Sequence, residues 1–221
     1  MDDPVERLKR LDCCAVSDAM DKLGVRDRVV SGLEQRSTTH RIAGRVVTYR
    51  LLPAGQVLSQ GTGAPRHLGT TAIELAQPGD VIVVEQRTGI DAGSWGGILT
   101  LGAKVRGVAG VIADGPVRDI DEARAHGFPI YCRSLTARTA RGRVAEAETQ
   151  QPVTIGEVRV NQGDYAIADA SGVAFIPAAD IERVLDAAEA IAGREAAMAK
   201  ALLAGTPITQ VMGADYEHML R

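Results

Sequence analysis

Aromatic residues are scarce: one Trp, four Tyr and two Phe among 221. A core of ordinary size must therefore be assembled from Val, Ile, Leu and Ala. Cysteine is scarcer still. The three present, two of them adjacent (Cys13, Cys14), make neither a disulfide framework nor a C-x-x-C zinc pattern, so a reducing, cytoplasmic setting is expected. No apolar run approaches the ~18 residues that a membrane span needs. The start, MDDPVERLKRLD, has no signal-peptide core. A net charge of −3 offers no general basic field, which counts against nucleic-acid binding as the main activity. The glycine-rich loop from Pro53 to Gly69 lacks the G-K-[ST] ending of a phosphate-binding loop, and a nucleotide site is rejected on that ground.

What remains is ordinary for a globular protein, 45% hydrophobic and 24% charged, and long enough for one substantial core. Residues 1–221 are read as one domain. Pro4 to Gly24 is helical, with one short apolar face around Val5, Leu8 and Leu11 and another around Val16, Ala19, Met20 and Leu23. Strands are expected over Arg41–Leu52, Val81–Glu85, Val153–Ile155, Val158–Val160 and Tyr165–Ala168. A short helix is expected over Thr70–Ala76. The loop Pro53–Gly69 reads as a rim or lid, and His67 at its end as a surface or helix-capping residue. The arginines at 133, 138, 141 and 143 read as a solvated loop or a subunit contact. A long helix spans Asp180–Ala204, stopped by Gly205 and Pro207. Its apolar stripe runs through Ile181, Val184, Leu185, Ala188, Ile191, Met198 and Leu202, and Glu195 falls on it. An acid there either meets a cation or polar shell, or sits at the rim of a seam that has turned away.

The organising stretch is Trp95–Phe128, WGGILTLGAKVRGVAGVIADGPVRDIDEARAHGF. It reads as a helix over Ile98–Arg106, a strand over Val108–Ala113, a turn at Asp114-Gly115-Pro116, and a helix from Arg118-Asp119 to Gly127. In such α/β units, ligands gather where strands end and helices begin. The N–H groups behind Gly96-Gly97 suit a carboxylate or phosphate, although a glycine pair is as readily a plain turn. Arg118-Asp119 joins a planar anion clamp to a hard oxygen ligand, a combination suited to Mg²⁺ and an acidic substrate. Asp119 with Glu122 three residues on equally fits a capping box. Trp95 fits a pocket wall or simple packing.

The run W-G-G-I-L-T … A-K-V-R-G-V-A-G-V-I-A-D-G-P-V-R-D resembles the core of the RraA-like family. LDCCAVSDAMDKLG, QPGDVIVVE, GFPIYC and GDYAIADASGVAFIP resemble successive family blocks in the same order. The family contains 4-hydroxy-4-methyl-2-oxoglutarate aldolases, oxaloacetate decarboxylases and regulators of RNase E. The resemblance implies a compact α/β fold similar to the swivelling phosphohistidine domain, with α/β/β/α layers, and a homotrimer or dimer of trimers. The helix near 180–204 is then expected at a subunit interface. It implies Asp119 as the ligand of Mg²⁺ or Mn²⁺ and Arg118 as the substrate-binding arginine. The backbone of Gly96, Gly97, Ile98 and Leu99 is implied as the cradle of a 2-oxo acid carboxylate. Glu195 is implied as a catalytic acid reaching a neighbouring subunit's site. C–C cleavage through a metal-stabilised pyruvate enolate follows from that set.

One departure stands out. Twenty-one residues before the arginine the aldolases typically carry Asp or Glu, and this chain has Gly97. Glu195 of a partner copy, Asp91 or Asp114 are the residues the sequence offers in compensation. Two alternatives follow from the resemblance: a lyase on a different 2-oxo or 2-hydroxy acid that uses the room at Gly97, or a non-catalytic regulator. The regulators as a rule lack an aspartate where this chain has Asp119. A glycine-rich S-adenosylmethionine motif is absent, which removes a methyltransferase reading.

Overall fold

The computed structural model describes residues 3–57 and 67–213. Most of the expected rim or lid, including Gly61, Gly63 and Pro65, lies outside the described residues. In chain order the helices are α1 (Pro4–Leu8), α2 (Cys13–Lys22), α3 (Thr70–Leu75), α4 (Gly97–Arg106), α5 (Ile120–Ala125), α6 (Ile181–Leu203) and α7 (Ile208–Val211). The strands are β1 (Val29–Val30), β2 (Glu34–Gln35), β3 (Ile42–Pro53), β4 (Val81–Glu85), β5 (Gly110–Val117) and β6 (Ile130–Leu135). After them come β7 (Val144–Thr149), β8 (Val153–Ile155), β9 (Val158–Val160), β10 (Tyr165–Asp169) and β11 (Gly172–Ile176).

The first helical run divides because Asp12 takes an extended backbone and its carboxylate accepts Ala15 N–H at 2.8 Å, starting a second helix. Asp3 and Pro4 open α1 in the same manner. The twelve-residue β3 is the spine of the sheet. Its start pairs antiparallel with β10, its middle pairs parallel with β4, and its end pairs antiparallel with β7. From β4 the parallel pairing continues through β5 to β6, while β10 continues antiparallel through β11 to β1. The mixed α/β class is thus as expected.

Side-chain alternation sorts this sheet into layers. One face of the parallel half (Ile82, Val84, Val111, Ala113) packs against α3, α4 and α5 through Ala72, Leu99, Ala103 and Ala123. Its other face (Val81, Val83, Ile112) meets Ala166, Ala168, Val173 and Phe175 of the antiparallel half, with the β8–β9 hairpin between them. The outer face of the antiparallel half (Ala43, Ile167, Ala174, Ile176) is covered by α1, α2 and α6. Helices, parallel strands, antiparallel strands and helices therefore stack in that order.

Three expectations need correction. Asp114-Gly115-Pro116 is not a turn but the continuation of β5, whose register against β6 shifts between Ala113 and Pro116. One extra residue on β5 absorbs the proline there, which has no N–H to give to a ladder. Five strands had no counterpart in the sequence reading: β1, β2, β6, β7, which follows the arginine-rich stretch, and β11 in GVAFI. The stripe of α6 is buried only at Ile181, Val184, Leu185, Ala188 and Ile191. Beyond that the helix leaves the core, so Glu195 is exposed and not on a buried face.

Candidate active site

The site lies at the carboxyl ends of β4 and β5, where the chain leaves the parallel half for α4 and α5. Hydrogen bonds tie the two exits together. Ser94 N and Oγ both donate to Pro116 O at 2.8 Å, and Arg118 N donates to Trp95 O at 3.1 Å. From below, the buried Tyr49 hydroxyl donates to Ser94 O at 2.7 Å, and burial pushes its pKa well up so that it stays a donor. Trp95, 1% exposed, donates its indole N–H to Thr100 Oγ1 at 2.9 Å. It both packs the core and walls the cleft, so the two readings of this residue are compatible.

Asp119 is the unusual residue. Its backbone is left-handed (φ 57°, ψ 37°), a conformation that costs an ordinary side chain about 1–2 kcal/mol. It occupies the N-cap of α5, yet its side chain makes no capping bond there. The carboxylate instead crosses to α4, where Oδ2 accepts Gly97 N–H at 3.0 Å, and Arg118 Nε lies 3.2 Å from the same oxygen. The capping-box reading of Asp119 and Glu122 therefore fails: the left-handed twist turns the aspartate away from its own helix.

The glycines are explained by what approaches them. A Cβ on Gly93 would stand 2.9 Å from Arg118 Cγ, and one on Gly96 would stand 3.0 Å from Asp119 Oδ2. A Cβ on Gly97 would come within 1.8 Å of Glu122 Oε2. None of the three has a positive φ. At Gly93 and Gly96 the crowding comes from Arg118 and Asp119, whereas at Gly97 it comes from the end of the flexible, exposed Glu122 side chain.

The first turn of α4 leaves N–H groups that no helical carbonyl can reach. That of Gly97 serves Asp119, while those of Ile98 and Leu99 have no acceptor among the described residues. Ile98 and Leu99 line a cleft of about 460 Å³ with Leu68, Trp95, Gly96, Gly97, Arg118 and Asp119, together with His67, Thr70, Thr139 and Ala140. A second hollow of about 570 Å³ shares Arg118 and Asp119 and continues over Asp121, Glu122, Leu135 and Thr136. Arg118-Asp119 is thus the partition between two open spaces.

The structure brings together Gly96, Gly97, Ile98, Leu99, Arg118 and Asp119. It keeps Glu195 apart, on the α1–α2–α6 layer across both strand layers. The other two acids offered in place of a residue at 97 are occupied elsewhere. Asp114 is buried between Arg133 Nε and Gly156 N, each at 2.6 Å, and the exposed Asp91 pairs with Arg138 at 3.4 Å. Arg133 is accordingly a half-buried strut holding Asp114 and the Ser31 carbonyl, whereas Arg138, Arg141 and Arg143 are exposed. His67 bonds its neighbour's carbonyl and accepts Thr70 Oγ1, as a residue opening α3 would, while also lining the cleft. Glu122 is the residue that sequence reasoning assigned elsewhere.

Among the described residues no three His, Cys, Asp or Glu side chains converge as a ready-made metal cage. No described helix is long and apolar enough to cross a membrane.

Comparison with known proteins adds the family. The chain is 28% identical over 206 residues to protein DlpA of Legionella pneumophila, a match covering 93% of this chain. It is 28% identical over 138 residues to a Thermus thermophilus protein named 4-hydroxy-4-methyl-2-oxoglutarate aldolase, covering 62% of this chain and 76% of that protein. The chain spans only 32% of the length of DlpA, and 56% and 58% of two further curated relatives. Among solved structures, Streptomyces coelicolor RraAS2, described as an unusual member of the RNase ES inhibitor RraA family, superposes with a TM-score of 0.74 at 26% identity. That match covers 86% of this chain and 91% of the other. The family described as Aldolase/RraA matches residues 13–175, through the whole of the stretch that builds the cleft, and the chain belongs to this RraA-like family.

Proposed function

We propose that the chain is a divalent-metal-dependent lyase that cleaves C–C bonds of 2-oxo acids, as a 4-hydroxy-4-methyl-2-oxoglutarate-type aldolase, an oxaloacetate decarboxylase or both. The observation that carries this reading is the strained Asp119, whose carboxylate is turned from its own helix to the open end of α4 beside Arg118. Strained side chains of this kind concentrate at functional sites. The family relatives named as aldolases support the same reading.

The residues present fit a hard cation. Asp119 offers oxygen, and Gly96 keeps clear the space beside Oδ2 that a Cβ would fill. A single carboxylate with water completing the shell suits Mg²⁺ or Mn²⁺, whereas the tetrahedral nitrogen and sulfur set of zinc is missing among the described residues. Bound there, such an ion supplies Lewis acidity to the keto oxygen of a 2-oxo acid. The chain's own groups do the rest. The Ile98 and Leu99 N–H groups, at the positive end of α4, take the substrate carboxylate. Arg118 neutralises the oxygen whose charge changes as the C–C bond breaks. Leu68, Trp95 and Leu99 form an apolar wall that strengthens these interactions by excluding water.

Glu195 belongs to this proposal only through assembly. It is exposed and remote from its own cleft, so it acts in a second copy's site, within a homotrimer or dimer of trimers. The test is Asp119→Ala. Metal-dependent pyruvate release should vanish while the circular dichroism spectrum stays that of the parent. Undiminished release would remove the assignment and favour the non-catalytic role that RraA regulators represent.

A further inference from the structure

We propose that His67 is the general base of the cleft, taking the proton from the C4 hydroxyl of a 4-hydroxy-2-oxo acid as its C3–C4 bond breaks. The proposal rests on the metal-dependent reading above and deepens it.

Cleavage of such an acid needs a group that accepts the hydroxyl proton while the bond electrons pass into the enolate. Among the described residues lining the cleft, three carry ionisable side chains: His67, Arg118 and Asp119. A guanidinium has donors and no acceptor. Asp119 is committed to Gly97 N–H, to Arg118 and, in the reading above, to the cation. Asp91 and Asp114 have partners of their own, and Glu195 lies across both strand layers. His67 is left for the task.

Its ring is already set for that task. Nδ1 lies 3.0 Å from the Leu68 carbonyl oxygen. A carbonyl only accepts, so Nδ1 carries the hydrogen and the neutral ring keeps its lone pair on Nε2. No described residue bonds to Nε2. The surrounding backbone is held as well. Gly69 N donates to Glu146 Oε2 at 2.6 Å, and Thr70 Oγ1 donates to His67 O at 2.7 Å. A Cβ on Gly69 would stand 3.3 Å from both Leu99 Cδ1 and the Tyr49 hydroxyl, and 3.5 Å from Trp95 Cζ3. The chain is thus pinned against the cleft wall two residues after His67, whose side chain is exposed at the rim.

The step balances within the substrate. Nε2 takes the hydroxyl proton, the C4 oxygen becomes a carbonyl, and the C3–C4 electron pair becomes the C2–C3 double bond of the pyruvate enolate. The imidazolium then gives its proton to C3, which yields pyruvate and leaves the ring neutral. Oxaloacetate differs: it loses carbon dioxide with no hydroxyl proton to pass.

That difference supplies the test. The full chain and its His67→Gln variant are given Mn²⁺ with each acid in turn. Cleavage of 4-hydroxy-4-methyl-2-oxoglutarate is followed as pyruvate, and decarboxylation of oxaloacetate as carbon dioxide. The ratio of cleavage to decarboxylation should drop about a hundredfold in the variant, the lower end of what a general base contributes. Mn²⁺ affinity, read by electron paramagnetic resonance without substrate, should stay at the parent's value. An unchanged ratio would overturn the proposal, whether both rates fall together or neither does. So would a variant that has lost Mn²⁺, because His67 would then serve the cation site. A parent that decarboxylates oxaloacetate but cleaves no 4-hydroxy acid overturns this inference and leaves the metal-dependent reading standing. A parent with no metal-dependent turnover of either acid removes both.

Discussion

At the scale of single residues, the site is a set of close approaches. Arg118, Asp119 and Glu122 come within about 3 Å of where a Cβ on Gly93, Gly96 and Gly97 would be. Asp119 also carries a backbone cost, and this can be measured apart from any chemistry. Asp119→Ala keeps the left-handed strain while Asp119→Gly relieves it, so the glycine variant should be more stable than the alanine variant by about 1 kcal/mol in urea unfolding. Equal stability would mean that the backbone relaxes at 119 once the carboxylate is gone. The Arg-Asp pair after an apolar strand was legible in the sequence, as was the glycine pair. The direction of the Asp119 side chain was not. Asp-x-x-Glu ahead of a helix describes a capping box equally well, and only the sign of φ at 119 decides whether the carboxylate serves its own helix or the next one.

At the scale of elements, the helices and parallel strands followed their apolar periods, and the errors have identifiable causes. Asp114-Gly115-Pro116 has the composition of a turn, but a bulge in β5 accommodates it, and the buried Asp114 is satisfied by Arg133 and Gly156. Long-range partners of that sort leave no local mark. On α6 the apolar period continues past the point where the rest of the chain stops covering it, which is why Glu195 looked buried. The inner half of α6 is fastened to α1 by Arg7, which reaches Glu182, Asp186 and Glu189 at 2.6–2.9 Å. Hydrogen bonding from Arg7 holds the Glu189 carboxyl below its ordinary value, against a smaller upward push from burial. A depressed acid stabilises the fold fully above its unfolded value, about 4.3, and that contribution is lost as pH falls through the lower folded value. Arg7→Met, which keeps an aliphatic stem, should therefore melt below the parent at neutral pH. The gap should close as pH drops from about 5 towards 3. A gap independent of pH would assign the effect of Arg7 to packing.

At the scale of the whole molecule, the four layers place the cleft and α6 on opposite faces of the strands. The helix layer on the parallel strands carries the cleft, and the layer on the antiparallel strands carries α6 with Glu195. The α/β class was readable from the sequence, because apolar strands alternating with short helices leave few other arrangements. The way β3 joins both halves was not, since its antiparallel pairing with β10 joins residues more than a hundred positions apart. The account's central claim is that the partition formed by Arg118 and Asp119 runs metal-dependent C–C cleavage. The most direct test is pyruvate release from oxaloacetate and from 4-hydroxy-4-methyl-2-oxoglutarate, with Mg²⁺ or Mn²⁺ and then with EDTA. The account predicts turnover above that of free metal with at least one of these acids, lost with EDTA and restored by added metal. Turnover indifferent to EDTA, or none above the free-metal rate with either acid, would contradict it.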